Sequence, residues 1–308
     1  MDDTPLALRE RPAVRGDLQA LTDLYCAYDR VVVGAPDTDP DDVLADWDRP
    51  GADLAQDTLV LEVDGRLVGY AVQLGHEADS CVDPDGPVDA LYGRLLDWLE
   101  QRGTSLQHYT AEHDPFLPPL LEARGWTVTR RFWRMRRELD VAPPDPVWPE
   151  GVQVREHRRP DDDAPVHALV TAAFREVGGQ AERSLEQWTA SLLEGARFDP
   201  SLCLVATVDG EVVGAALSRA TSDFGFVRQL AVAPSQRGRG LALALLHECF
   251  RRHRERGLPA TALGVDAANP TGALALYEKA GMRVVERFAR WERATAAEVT
   301  RPASAPAD

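Results

Sequence analysis

The chain repeats itself, and that repetition limits its possible folds more than any other feature of the sequence. Residues 59–69 and 204–214 each contain two β-rich runs on either side of an Asp-Gly pair. An Asp-Gly pair between such runs predicts a β-hairpin with a two-residue turn. A second match joins residues 121–126 to residues 277–282, each with a glycine after a short helical pattern. A repeat this long predicts two copies of one domain.

A proline-rich segment separates the two copies. Residues 141–150 contain four prolines, which cannot continue a helix or a central strand, so the segment is predicted to be a linker. The predicted domains are therefore residues 1–140 and residues 151–293. The remaining residues, 294–308, are rich in Ala, Pro and Ser and are predicted to form a disordered tail.

The composition is that of a soluble globular protein. Hydrophobic residues make up 44% of the 308 residues, which is enough for two cores. The formal charge of −16 argues against nucleic acid as a partner, because phosphate backbones bind basic surfaces. The four cysteines lack metal-ligand spacing, so no metal site is predicted. No apolar run is long enough to cross a bilayer and no apolar leader follows Met1, which predicts a cytoplasmic protein without a membrane partner.

A glycine-rich turn is the strongest candidate for a binding site. Residues 237–242 join a β-rich run, residues 226–232, to an apolar run, residues 241–250. Gly238 and Gly240 leave backbone N–H groups accessible to an anion, and the start of a helix adds a partial positive charge. The Gly-Lys-Ser/Thr ending of a nucleotide-hydrolase loop is missing, as is the third glycine of a dinucleotide-binding loop. The turn therefore indicates a different phosphate-containing ligand.

Two further motifs follow this turn, and the three together resemble the GNAT family of N-acetyltransferases. Asn269 stands before Pro270 after a β-rich run, and Leu276-Tyr277-Glu278-Lys279 stands before Gly281. The resemblance implies an α/β fold in which each copy is a mixed, mostly antiparallel twisted sheet flanked by helices. The tandem layout resembles the mycothiol synthase branch of that family.

The resemblance also implies acetyl-CoA as co-substrate, together with the residues that would hold it. Three residues of the fourth strand of the C-terminal copy would pair through their backbone with the pantetheine arm: Leu230, Ala231 and Val232. Six consecutive residues of the turn would hold the pyrophosphate through their N–H groups: Arg237, Gly238, Arg239, Gly240, Leu241 and Ala242.

The chemical roles rest on fewer residues. By the resemblance, Tyr277 would protonate the departing thiolate, with a core position as its alternative. Asn269 would hydrogen-bond the pantetheine or cap the last helix, and the two roles are compatible. Many relatives have a glutamate near the position of Phe226, so the general base is unassigned. Asp223 or Asp266 acting through water, or proton loss to solvent, are the alternatives.

The N-terminal copy has diverged where the ligand would bind. Its segment 82–90 has Pro87 in place of an N–H donor, and three carboxylates: Asp83, Asp85 and Asp89. His113 and Leu121 stand where the C-terminal copy has Asn269 and Tyr277. The N-terminal copy is therefore predicted to be structural and the C-terminal copy to be active.

These observations predict an acetyltransferase that moves an acetyl group from acetyl-CoA to the amine of a small molecule. The resemblance places the acceptor against the first two helices and the last hairpin of the C-terminal copy. A non-catalytic acyl-CoA-binding or sensing protein is one alternative, because the glutamate is missing. A transferase that uses another acyl group or an oxygen acceptor is the other. The oligomeric state stays open, and two domains in one chain are compatible with a monomer.

The apolar patterns also predict the elements of the C-terminal copy. Strands are expected near residues 152–156, 202–208, 211–220, 225–233, 261–266 and 283–292. Helices are expected near residues 162–175, 184–194, 240–256 and 271–280. By the resemblance, the fourth and fifth of these strands should splay apart.

Overall fold

A computed structural model describes residues 8–36, 38–102, 105–178, 182–194, 198–221 and 223–293. The predicted tail, residues 294–308, lies outside the described residues. The described chain packs into two compact units. Unit 1 contains the described residues up to Arg131 and those from Arg287 onward, and unit 2 contains Phe132–Glu286.

The strands in the described ranges, in chain order, are β1 (Leu8–Arg11), β2 (Thr58–Val63), β3 (Arg66–Leu74), β4 (Glu77–Val82), β5 (Leu106–Ala111), β6 (Thr127–Glu138), β7 (Gln153–Glu156), β8 (Cys203–Val208), β9 (Glu211–Ala220), β10 (Gly225–Val232), β11 (Ala260–Asp266) and β12 (Arg283–Arg293). The α-helices are α1 (Leu18–Val32), α2 (Pro40–Trp47), α3 (Leu54–Asp57), α4 (Val88–Gln101), α5 (Leu117–Ala123), α6 (Asp163–Val177), α7 (Leu185–Leu192), α8 (Leu241–Glu255) and α9 (Ala273–Lys279).

Each unit has a mixed, mostly antiparallel sheet, as predicted. The strand order is β1-β2-β3-β4-β5-β12 in unit 1 and β7-β8-β9-β10-β11-β6 in unit 2. The parallel pairs are β4 with β5 and β10 with β11. The two predicted hairpins turn at Asp64 and Asp209, whose φ angles are 50° and 49°. Both hairpins also have a bulge at the equivalent place, Leu61/Glu62 and Ala206/Thr207, which supports the duplication.

The last strand of each sequence half pairs within the other compact unit. Phe132–Glu138 of β6 pair with β11 in unit 2, and Phe288–Arg293 of β12 pair with β5 in unit 1. The packing units therefore differ from the predicted halves, residues 1–140 and 151–293. The linker segment 141–150 contains no helix or strand.

In unit 2 the helices cover both faces of the sheet. Helices α8 and α9 pack on one face in a hydrophobic cluster built on Leu245, Phe250 and Tyr277. Helices α6 and α7 pack on the other face around Val166 and Trp188. Residues of β8 and β9 alternate between the two clusters, because successive side chains point to opposite faces.

The predicted elements of the C-terminal copy are confirmed, with small shifts at their ends. Helix α7 begins after Ser184, whose hydroxyl accepts a hydrogen bond from the N–H of Gln187 in a capping box. The helix predicted near residues 162–175 runs two residues further, because α6 ends at Val177. Gly178 ends that helix with φ 72°, a conformation that favours glycine.

Candidate active site

Strands β10 and β11 begin as a parallel pair and then separate. The paired residues are Gly225–Val227 with Thr261–Leu263. Beyond them, Gln229–Val232 pair with β9, and Gly264–Asp266 pair with β6. The separation coincides with a bulge at Arg228, which adds one residue to β10. The facing edges of the two strands are therefore left open, as the predicted splay requires.

A buried histidine lies at the point where the two strands begin as a pair. The ring of His253 on α8 is 0% exposed, and its Nδ1 lies 2.7 Å from the hydroxyl of Thr261 on β11. A Cβ at Gly225 on β10 would come within 2.2 Å of that ring. Only glycine therefore lets the helix carry His253 this close to β10. Burial, and then the nearby Arg256, lower the pKa of His253 to about 4.

We expect His253 to make the protein less stable at acid pH. The unfolded chain binds a proton near the ordinary histidine pKa of 6.5, whereas the folded chain resists it until about pH 4. The contribution of neutral His253 to the free energy of unfolding is therefore complete above pH 6.5. It falls by roughly 3 kcal/mol as the pH is lowered from 6.5 to 4. Urea unfolding at several pH values should show this loss in the parent and not in His253→Gln. The control His76→Gln, at an exposed position, should behave as the parent; equal pH dependence in the parent and His253→Gln would contradict the assignment.

The glycine turn forms an open anion-binding surface. Gly238 and Gly240 have φ angles of 73° and 87°, both in the left-handed region. Gly240 is the N-cap of α8, and the first backbone bond of that helix runs from the N–H of Ala244 to the Gly240 carbonyl, at 3.0 Å. Within the described ranges, the N–H groups from Gly238 to Leu243 donate to no protein acceptor. They remain free for a ligand, with the helix dipole behind them.

Both arginine side chains of the turn already have protein partners. Arg237 donates two hydrogen bonds to the carboxylate of Glu176 at the end of α6, at 2.8 and 3.0 Å. Arg239 donates to the side chain of Gln236 and to the Glu150 carbonyl. The surface offered to an anion is therefore the backbone, with the two guanidinium groups beside it. Glu176 is a residue that the sequence analysis missed.

Tyr277 has the surroundings that a proton donor needs. Its ring is 9% exposed and packs in the same cluster as Val232, Leu241 and Val265, at the ends of β10 and β11 and the start of α8. Burial raises the pKa of Tyr277 to about 12, so the hydroxyl keeps its proton at neutral pH. Among the described residues, none forms a hydrogen bond with that hydroxyl. The core position and the donor role are thus compatible.

Asn269 and Asp266 shape the turn before α9. The side-chain oxygen of Asn269 accepts hydrogen bonds from the N–H and the hydroxyl of Thr271, at 2.9 and 2.6 Å. This bond closes a turn before the helix and is not the predicted cap, because the N-cap of α9 is Gly272. It leaves the amide NH₂ group of Asn269 without a role in that turn. Asp266 accepts from the N–H of Ala268 at 2.8 Å, which is a structural bond.

No carboxylate replaces the missing glutamate in β10. Phe226 lies opposite Arg219 on β9 and contacts the ring of Phe224 at 6.3 Å between centroids. Asp223 is exposed in the turn before β10, where its N–H donates to the hydroxyl of Thr221. The geometry therefore gives no general base among the described residues around Phe226.

Comparison with known proteins agrees with this geometry. Residues 164–282 match the model of the acetyltransferase (GNAT) family. A mycothiol acetyltransferase of Thermobispora bispora is 34% identical over 65% of this chain and 68% of its own length. One from Streptomyces coelicolor is 32% identical over 72% and 75%. The chain belongs to the GNAT family of acetyltransferases.

Solved structures place the whole chain among tandem GNAT proteins. A GCN5-related N-acetyltransferase from Sphaerobacter thermophilus has a TM-score of 0.78 and 30% identity, and the match covers 93% of this chain and 95% of that one. A tandem GNAT protein from the clavulanic acid biosynthesis pathway has a TM-score of 0.74 over 93% and 98%, at 18% identity, and so shares the fold. The tandem GNAT architecture predicted from the repeat is confirmed.

In the equivalent loop of the N-terminal copy, residues 82–90, backbone N–H groups donate to protein oxygens of the same unit. The N–H groups of Asp83, Asp85 and Gly86 each donate to an oxygen of the same unit. Pro87, the N-cap of α4, has no N–H to offer. The carboxylate of Asp83 is buried and pairs with Arg66 at 2.6 Å. An anion at this loop would meet carboxylates where the second copy presents N–H groups.

The described residues of this GNAT protein lack two other kinds of feature. They contain no group of three or more His, Cys, Asp or Glu side chains placed to hold a metal ion. None of the helices in the described ranges is long and apolar enough to cross a membrane.

Proposed function

We propose that this acetyltransferase moves an acetyl group from acetyl-CoA to the amine of a small molecule, and that the C-terminal copy is the active one. The observation that supports this most strongly is the contrast between the two loops. Among the described residues, the N–H groups from Gly238 to Leu243 have no protein acceptor. In the turn of unit 1, those of Asp83, Asp85 and Gly86 donate to protein oxygens and Pro87 has no N–H. A small-molecule acceptor is consistent with relatives named mycothiol acetyltransferase.

The residues of unit 2 fit acetyl-CoA as a substrate. The N–H groups of residues 238–242 would hold its pyrophosphate beside the start of α8. The N–H of Arg237, which the sequence also predicted to bind, instead donates to the Pro234 carbonyl at 3.3 Å. The open edge of β10 at Leu230, Ala231 and Val232 would pair with the amide groups of the pantetheine arm. The amide NH₂ of Asn269 would donate to the same arm, because the side-chain oxygen already serves the turn.

In this proposal Tyr277 supplies the proton that the reaction needs. Acetyl transfer breaks the thioester and forms an amide, so the leaving thiolate requires a proton. The hydroxyl of Tyr277 is protonated at neutral pH and has no hydrogen-bond partner among the described residues. The acceptor amine would lose its proton to solvent before it attacks, since no carboxylate stands at Phe226.

We expect one chain to bind one molecule of acetyl-CoA. The loop of unit 1 places carboxylates where the pyrophosphate would lie, so only the loop of unit 2 should bind. Isothermal titration calorimetry should give a stoichiometry near one, and thiol release with a panel of amines should report turnover. Asp85→Asn, which changes the charge of the unit 1 loop alone, should leave both the stoichiometry and the affinity unchanged. A stoichiometry near two, or no binding, would contradict the proposal.

A further inference from the structure

Three arginines lie close together on the face of β9 and β10 that α7 covers. Arg228 stands at the bulge of β10, and its Nη1 donates to the Ser191 carbonyl at 2.8 Å. Arg183, just before α7, donates from Nη1 to the hydroxyl of the same Ser191 at 3.2 Å. Arg219 is on β9, directly opposite Phe226 in the antiparallel register. Two guanidinium groups thus meet at one residue of α7.

The alternation of side chains places the third arginine on the same face. The hydroxyl of Ser218 donates to Cys249 of α8, so Ser218 points to the α8 face. Leu217 belongs to the cluster formed with α6 and α7. Arg219, next after Ser218, therefore points to the α7 face together with Leu217. Arg228 lies on the α7 face as well, because its Nη1 donates to the Ser191 carbonyl of that helix.

This concentration of positive charge is unusual for the chain. The sequence has 50 acidic and 34 basic residues, and several arginines of unit 2 have carboxylate partners, among them Arg155, Arg159 and Arg237. In the described ranges, neither Arg183 nor Arg228 lies within ion-pair distance of a carboxylate. Burial, and then the charges of the two neighbouring arginines, lower the pKa of Arg228 to about 10. Like charges brought together at a half-buried site destabilise the protein unless an anion joins them.

In the part of the chain that the structure describes, the guanidinium groups of Arg183 and Arg228 use few of their hydrogen-bond donors. A guanidinium has five N–H donors in a planar arrangement that matches a carboxylate or a phosphate. Arg183 and Arg228 each use one of them, on Ser191. The capping of the end of α7 by Arg228 accounts for one bond and not for the second guanidinium group, that of Arg183, on the same serine.

The cluster is close to the place where acetyl transfer would occur. Gln229, next to Arg228, is held by a hydrogen bond from Nε1 of Trp188 at 2.9 Å. Leu230, the first residue proposed to pair with the pantetheine arm, is about 7 Å along the strand from Arg228. One small molecule could therefore contact the arginines at one end and reach the thioester with an amine at the other.

We propose that Arg183 and Arg228 bind an anionic group of the acceptor, so that the acceptor is an amine that also carries a carboxylate or a phosphate. This inference rests on the proposed acetyl transfer and adds the substrate class. It differs from an expectation drawn from net charge, since a chain of charge −16 would favour a purely cationic amine.

Matched pairs of amines test the substrate class. The probes are L-alanine against L-alaninamide and O-phosphoethanolamine against ethanolamine, each with acetyl-CoA and measured by thiol release. For one pair, kcat/KM of the anionic amine should exceed that of the uncharged analogue by at least about tenfold. That is the gain in binding free energy that hydrogen bonds between charged groups typically supply. The pair that shows the preference identifies the anion as carboxylate or phosphate. Arg228→Gln should remove most of that preference.

The control variant changes the net charge by the same amount as Arg228→Gln. Arg283 is an exposed residue of β12 and lies outside the cluster. Its Nη2 is 4.0 Å from Oε1 of Glu138. Arg283→Gln should retain the preference of the parent for the anionic amine. Equal kcat/KM for anionic and uncharged amines in the parent, or an unchanged preference in Arg228→Gln, would overturn the inference while leaving acetyl transfer intact.

Direct anion binding gives a second readout that does not need turnover. Saturating CoA would first occupy the turn at Gly238 and Gly240. Inorganic phosphate or propionate should then raise the melting temperature of the parent and of Arg283→Gln, but not of Arg228→Gln. If neither anion stabilises the parent more than Arg228→Gln, the cluster is not an anion site. If CoA itself does not bind, the proposed function fails, and that result is distinct from the first.

Discussion

Gly240→Asp should weaken acetyl-CoA binding by at least about tenfold. The N–H groups on either side of Gly240 have no acceptor among the described residues, and Gly240 is exposed at the start of α8. An aspartate there places a negative charge beside the proposed pyrophosphate position and opposes its binding. Two of the three carboxylates of the unit 1 loop, Asp83 and Asp85, are expected to oppose a pyrophosphate in the same way.

The variant needs a control because Gly240 also has a demanding backbone. Its φ of 87° is strained for any residue with a Cβ, although no atom lies within 4 Å of an added Cβ. Gly240→Ala has the same strain, about 1–2 kcal/mol, without the charge. Calorimetry with acetyl-CoA, and melting curves without it, should show similar stability for the two variants and much weaker binding for Gly240→Asp. If the two variants bind equally well, the charge is irrelevant and Gly240 serves folding alone.

The features that the sequence predicted are those encoded by a few neighbouring residues. The hairpin at Asp209 needs only a two-residue turn of positive φ between apolar runs. The turn at Gly238 and Gly240 needs only two glycines between a strand and a helix. Such signals are local, so the strands and helices of the C-terminal copy were predicted nearly to their ends.

The features that the sequence could not predict depend on which distant residues come together. The pattern of β6 predicts a strand, but nothing in it shows that Phe132–Glu138 pair with β11 of the other sequence half. Likewise, Glu176 lies 61 positions before its partner Arg237. The arginine cluster depends on the bulge at Arg228, which determines the face to which that side chain points. Long-range pairings of this kind leave no local signature.

Tyr277→Phe should lower kcat by at least about tenfold and by as much as 10²–10⁴-fold if water cannot substitute. The substitution removes only the hydroxyl, which has no hydrogen-bond partner among the described residues, and leaves the ring in its cluster with Val232 and Leu241. Stability and acetyl-CoA affinity should therefore remain close to those of the parent. A pKa of about 12 means that the lost group is a protonated donor throughout the neutral range.

The measurement compares thiol release with acetyl-CoA affinity for the parent, Tyr277→Phe and a matched control, Tyr92→Phe. Tyr92 is a fully buried tyrosine of α4 in unit 1, so its variant loses a buried hydroxyl far along the sequence from the turn and should keep the parental kcat. A fall in kcat confined to Tyr277→Phe, with unchanged affinity, would mean that the hydroxyl acts in the transition state rather than in binding. Parental turnover in Tyr277→Phe would instead leave Tyr277 as a core residue, because its ring alone would then account for its burial.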